Sequence, residues 1–379
     1  MATGESMYTE TRTLKLATSQ MDIAPASVDV RLHRAEAIVA HAAENGAQLI
    51  LLPARFNTGY HLDESAYDLA ETPNGKTAVW LAQTAANYGV YVAGAFLLRD
   101  DDDIYHSMVL CSPQGRFWRY DQTYAFGWER AIFREGHRPT IAGTALGKIG
   151  LMIGWDYAHP RLWKRYAGRV DLLLIASAMP RPDSLHIQLK DDEAYPLQSG
   201  RLLYHGVDAP FGGDMDRQAA WLGAPVVHSA LSGDFASEAT GAALGLLPAA
   251  FIQPSLLLRA WDARKATLTG QGIDGSRIIN SDGTAITQTE NTGDDVALAS
   301  VELGDIPAPR HDQPQIPYTA WGYWFHDVLL VAVLSFFYRR AYRRRYGESM
   351  APVDRATQIW RVLAVVVFVI GYLLGRLGG

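Results

Sequence analysis

The stretch Leu146–Pro160 constrains this chain more than any other. Leu146-Gly147-Lys148-Ile149-Gly150-Leu151-Met152-Ile153 reads as a short apolar strand, and Gly154-Trp155-Asp156 turns it sharply. A brief apolar run bounded by turn residues is the signature of a strand buried on both faces, which requires layers of structure on either side. The turn position itself holds Gly154, which offers no side chain.

The chain around it alternates strands and helices. Leu14–Thr18 reads as a first strand, and Val30–Asn45 as a helix with one apolar face, stopped by Gly46. Gln48–Leu52 is a buried strand. Lys76–Tyr88 repeats the helix, with Gly89 as its stop and Val90–Phe96 as the next strand. Asp100–Asp103 forms an acidic hairpin tip. Leu162–Ala167 is helical, Val170–Ser177 a strand, Asp216–Leu222 a short helix and Pro225–Ser229 a strand. Such alternation implies a layered α/β fold. Ser199–Asp216 reads as a long Gly-rich loop. Ala239–Leu258 carries no charge but is interrupted by Gly241, Gly245, Pro248 and Pro254. Two prolines argue against a spanning helix and leave a membrane-dipping or partner-contacting loop, or an ordinary covered insertion.

Four blocks in order carry a more specific signal. Leu51-Leu52-Pro53-Ala54-Arg55-Phe56-Asn57-Thr58-Gly59-Tyr60 is the first. Tyr120-Asp121-Gln122-Thr123-Tyr124 followed by Glu129-Arg130 and Gly136 is the second. The Gly154 turn is the third, and Gly275-Ser276-Arg277-Ile278-Ile279 with Asp282-Gly283-Thr284 the fourth. Together they resemble the motif blocks of the nitrilase (carbon–nitrogen hydrolase) superfamily, nitrilase-like branch, over roughly residues 12–305. The resemblance implies a four-layer αββα sandwich, commonly paired through its helices into dimers. It also implies a Glu-Lys-Cys triad, in which a thiolate attacks a nitrile or amide carbon, the glutamate takes the thiol proton and the lysine stabilises the tetrahedral intermediate. Here the glutamate position holds Ala54, the lysine position Gln122 and the cysteine position Gly154. Alanine accepts no proton, glutamine carries no charge and glycine forms no covalent bond. Such losses are non-additive, and removing the nucleophile alone takes away most of the rate. The resemblance therefore implies a pseudoenzyme with no intact catalytic residue. The second glutamate of the family survives as Glu129.

Glu129 and Asp156 remain as possible residual pocket residues, since carboxylates act as bases or nucleophiles. Asp156 has a second reading, as the cap of a helix starting near His159 and Pro160. Cys111, the only cysteine, lies in an apolar strand before the Pro113-Gln114-Gly115 turn and reads as a small core residue. One cysteine excludes an internal disulfide framework and a multi-cysteine zinc site. The 11 histidines show no ligand spacing, so neither metal nor cofactor is implied. A net charge of -6 without a basic stripe argues against nucleic acid as a partner.

Beyond the sandwich the composition changes. Residues 1–11 read as a flexible N-terminus without a secretory signal, and 306–320 as a linker. Trp321–Arg345 is aromatic, then apolar, and ends in Arg339, Arg340, Arg343, Arg344 and Arg345; it reads as an interfacial or membrane helix. Ile359–Leu377 is apolar between flanking arginines. At about 1.5 Å per residue it reaches about 28 Å as a helix, close to the ~30 Å hydrocarbon thickness, and reads as a transmembrane helix. His326 and Asp327 then need water or each other. One span would place the domain on the cytoplasmic face; two would place it outside. The expectation is a membrane-anchored, inactive nitrilase-like subunit, with membrane lipid and other membrane-complex subunits or a second copy as partners. The alternatives are a membrane-bound hydrolase with relocated catalytic residues and a small-molecule sensor using the old pocket.

Overall fold

The computed structural model describes residues 12–100, 103–189, 194–196, 211–238, 259, 266–304, 309, 311–316 and 318–347. Sixteen strands are found among them. They are β1 (Arg12–Asp22), β2 (Leu49–Ala54), β3 (Tyr91–Asp100), β4 (Asp103–Cys111), β5 (Phe117–Asp121), β6 (Ile141–Thr144), β7 (Gly147–Ile153), β8 (Leu172–Ala176), β9 (His186–Gln188), β10 (Ala194–Pro196), β11 (Val226–Ser232), β12 (Asp234–Glu238), β13 (Thr267–Gln271), β14 (Arg277–Ile279), β15 (Ala285–Gln288) and β16 (Asp295–Leu303). The α-helices are α1 (Val28–Glu44), α2 (Ser65–Asp68), α3 (Lys76–Tyr88), α4 (Pro160–Tyr166), α5 (Gly213–Leu222), α6 (Ala320–Trp324) and α7 (Leu330–Tyr346).

The main sheet runs β5-β4-β3-β2-β1-β11-β8-β7-β6, with β16 on β1 and the β14–β15 hairpin on β11. Its two halves meet where Gln20–Asp22 of β1 pair in parallel with Ala230–Ser232 of β11. A smaller sheet, β10-β9-β13-β12, lies apart.

The layering follows from strand periodicity. In β8, Leu172, Leu174 and Ala176 enter one apolar core, which also holds residues of α1, α3 and the first half-sheet. Leu173 and Ile175 enter a second core with Trp163 and Tyr166 of α4 and Met215 and Leu222 of α5. Successive side chains point to opposite faces, so a strand apolar at every position must be covered twice. The same split places Leu151 and Ile153 of β7 in the first core and Met152 in the second. The chain is an α/β sandwich with a nearly closed sheet. Helix α3 matches its expected bounds, while α5 begins three residues before Asp216. Cys111 is buried at the end of β4, and burial pushes its thiol up to about 12, which leaves it a core residue.

The tail differs most from the sequence reading. Trp321–Arg345 is helical, with a π-helical turn at Phe325–Leu329 between α6 and α7. Among the described residues, no helix is long and apolar enough to cross a membrane. Leu334, Tyr338, Ala341 and Tyr342 of α7 are buried in the first core instead. The Tyr338 hydroxyl accepts from the Ile104 amide at 3.0 Å. Arg345 pairs with Asp68 at 2.9 Å and Glu64 at 3.0 Å, and Arg344 with Glu64 at 2.7 Å. Aromatic residues and arginines that suit a bilayer interface suit a protein groove with acidic edges equally well, because both are amphipathic surfaces. In the stretch read as a linker, Ile316 and Tyr318 are buried in the second core. The expected flexible N-terminus, the apolar run Ala239–Leu258 and the expected span Ile359–Leu377 lie outside the described residues.

If burial rather than charge holds α7, Tyr342→Ala loosens it by about 3–4 kcal/mol. Arg345→Ala, which removes ion pairs at the protein surface, loosens it by about 1 kcal/mol or less. Hydrogen exchange over 330–346 ranks the two.

Candidate active site

Strand β7 ends at Ile153, and Gly154–Ala158 follows as one 3₁₀ turn. Gly154 has φ +47°, a conformation that L side chains rarely adopt and that glycine takes without a steric penalty. A Cβ built there would meet Gln122 Nε2 at 3.5 Å and Met179 Cγ at 3.6 Å, ordinary contact distances. The turn therefore has room for a side chain but carries none.

Asp156 explains why the turn is held so firmly. Its carboxylate accepts from the Ile153 amide at 3.0 Å, the Thr123 amide at 3.1 Å, the Tyr124 amide at 2.8 Å and the Tyr120 hydroxyl at 2.7 Å. Burial nevertheless pushes the carboxyl up to about 7. Asp156 caps its own turn and ties it to the 120–124 segment; it does not cap α4, which opens with Pro160 behind His159. With both oxygens engaged, it has no lone pair directed at a substrate.

Gln122 is pinned as well. Its Nε2 donates to the Tyr124 carbonyl at 2.7 Å, and its Oε1 lies 2.7 Å from His106 Nδ1. Burial depresses His106 to about 3, so the ring is neutral; Nδ1 carries the proton donated to Gln122, and Nε2 is left as a bare acceptor. Gln122 thus bridges the Gly154 turn and β4.

Ala54 is the last residue of β2 and fully buried. The next residue, Arg55, has φ +54° and is 1 % exposed. Its Nη1 donates to the His61 carbonyl at 2.9 Å, and its guanidinium lies over the rings of Tyr60 and Phe133. Its Nη2 is 4.0 Å from Glu129 Oε1. Glu129 sits in the 3₁₀ turn Gly127–Ala131 and accepts the Phe126 amide at 3.1 Å. Burial raises its pKa, while Arg55 opposes the rise. The structure thus places Gln122 beside the Gly154 turn and Glu129 beside Arg55, while Asp156 is committed to its own turn.

The tail contributes to this site. His326 is buried between Phe126 and Trp155, with ring centroids 4.9 Å from each. Asp327 bonds Arg130 at 2.9 Å and His159 Nε2 at 2.9 Å. His159 stacks on Tyr124 at 3.5 Å, and the Tyr323 hydroxyl donates to the Ala158 carbonyl. Asp327, expected to need water or its neighbour His326, has these partners on the sandwich. Arg55, His106 and Asp327 escaped the sequence reading. A charged residue directly after the Ala54 position was the one signal that could have pointed to Arg55. Among the described residues, no group of three or more His, Cys, Asp or Glu is arranged to hold a metal ion.

An α/β sandwich with a buried strand delivering a tight turn beside two other motif segments defines the class. Comparison with known proteins places the chain within it. The carbon-nitrogen hydrolase family model matches residues 15–188. Over 197 residues the chain is 30% identical to a nitrilase of Pyrococcus abyssi, covering 50% of this chain and 75% of that one. It is 24% identical over 177 residues to the omega-amidase YafV of Escherichia coli, covering 45% and 68%. Among solved structures, Saccharomyces cerevisiae Nit3, a member of branch 10 of the nitrilase superfamily, superposes with a TM-score of 0.56 at 16% identity, over 77% of this chain and 90% of that one. A CN-hydrolase superfamily protein of Xanthomonas campestris does so with a TM-score of 0.55 at 15% identity, over 90% and 100%. At such identities the structures speak for the fold alone. The chain belongs to the nitrilase, or carbon–nitrogen hydrolase, superfamily.

Asp156→Ala leaves three amides and a hydroxyl without their acceptor and costs about 3–5 kcal/mol, read by denaturant unfolding. His159 and Arg130 hold the Asp327 carboxyl below its ordinary value of 3.8. Its stabilisation is therefore complete above about pH 4 and is lost as pH falls through the lowered folded value. Asp327→Asn removes that acid-side loss and raises hydrogen exchange over 320–330 at neutral pH.

Proposed function

We propose that this chain is a catalytically inactive nitrilase-like protein that acts as a structural or regulatory subunit at a membrane. The observation that carries the reading is the state of the turn: Gly154 supplies no nucleophile, and its neighbour Gln122 is bound through both amide atoms. Ala54 offers no base beside them. Relocated chemistry on Asp156 is disfavoured because four donors occupy that carboxylate. Glu129 accepts a backbone amide and faces Arg55, a setting that holds a carboxylate still rather than freeing it as a nucleophile.

Membrane attachment rests on the sequence alone, through the apolar run Ile359–Leu377 and its flanking arginines. In this reading the run anchors the sandwich on the cytoplasmic face, α7 sets the distance to the lipid, and other subunits or a second copy complete the assembly. A small-molecule sensor remains a second reading, favoured by the unpaired edge of Arg55.

The test is ammonia release from a panel of aliphatic amides and nitriles by the full chain in mild detergent. The expected result is no turnover above buffer, unchanged by Asp156→Asn or Glu129→Gln. Turnover that either substitution abolishes would overturn the reading.

A further inference from the structure

The guanidinium of Arg55 is incompletely used. Nη1 has the His61 carbonyl, yet Nε and Nη2 have no hydrogen-bond partner among the described residues, although the side chain is almost wholly buried. Nε–H and Nη2–H form the edge of the guanidinium on which a carboxylate seats both oxygens at once. Buried donors without partners are costly, and native proteins seldom leave two on one group.

The group is also held in place. Its Cζ lies 5.5 Å from the Tyr60 ring centroid and 6.0 Å from that of Phe133, and the backbone of Arg55 is left-handed. Glu129 is the nearest carboxylate, but 4.0 Å from Nη2 is too far for a hydrogen bond. The His106 ring lies 5.2 Å from that of Phe133, and its Nε2 is also buried without a hydrogen-bond partner among the described residues. His106 bonds Gln122, which adjoins the bare turn at Gly154, where a built Cβ meets Gln122 and Met179 at ordinary contact distance. Ala54 and Gly154 contribute no more than a methyl group between them.

We propose that the Nε/Nη2 edge of Arg55 is a binding site for a small carboxylate, beside Glu129. The ligand supplies two acceptors to Arg55. Glu129, a second carboxylate on the same cation, competes with it and sets the affinity. The proposal rests on the reading that hydrolysis has been lost here, since a site that turned over amides would use this space for substrate.

Isothermal titration of the full chain with sodium acetate tests it, with acetamide as the neutral match and sodium chloride as the salt control. Ammonia release from the acetamide samples is followed in parallel. Acetate is expected to bind at least about 30-fold more tightly than acetamide, because a neutral amide presents one acceptor and one donor to two donors. Arg55→Met abolishes binding. Arg55→Lys, which keeps the charge without the fork, weakens it at least about tenfold. Glu129→Gln keeps the acceptor for the Phe126 amide, removes the competing charge and tightens acetate about fivefold. That gain is one that a merely structural Arg55 would not show, and it survives even if the Arg55 variants fail to fold. Equal binding of acetate and acetamide, heat that chloride reproduces, no binding at all, or unchanged affinity in Glu129→Gln would each overturn the site. Ammonia release would instead overturn the inactive reading, whatever the acetate titration shows.

Discussion

The arrangement depends on one buried carboxylate. Asp156 gathers the end of β7, the 123–124 backbone and the Tyr120 hydroxyl onto two oxygen atoms. Without it the Gly154 turn and the Gln122 segment would be two loops that happen to adjoin. Burying a carboxylate is expensive, and four donors are what make it tolerable. The same bonds that hold the turn also occupy every direction from which Asp156 could act on a substrate. Scaffold and chemistry compete for one residue here, and the scaffold has it.

The site is built outward from that anchor in polar steps. Gln122 passes from the turn to His106, and Arg55 sits between Glu129 and two aromatic rings. Each residue is oriented by bonds at its far end, so the cluster is rigid before any ligand arrives. Arg55 has two donors to spare. A preorganised cation with donors to spare is suited to holding an anion.

The tail closes the arrangement from outside. Asp327 draws Arg130 and His159 together, His326 enters between Phe126 and Trp155, and α7 runs back over the first core to reach Glu64 and Asp68. The segment that follows the sandwich is therefore part of the wall of the candidate site.

The sequence by itself determined the layered fold and the family. Strands such as β8, apolar at every position, demand cover on both faces, and the four blocks occur in order with their turn residues intact. It also supplied the reading of Ala54, Gln122 and Gly154 as the motif positions, because identity at a motif is a local property. Tertiary structure alone decided what the remaining polar residues do. Asp156 as a cap and as a base look the same in one dimension; they differ only in whether the Thr123 and Tyr124 amides arrive. The reading of Trp321–Arg345 as a helix that crosses a membrane gave way for the same reason. An amphipathic helix shows in its sequence that it has an apolar face and a charged end, but what covers that face is chosen by the groove, and the Glu64 and Asp68 carboxylates, that the rest of the chain folds to present.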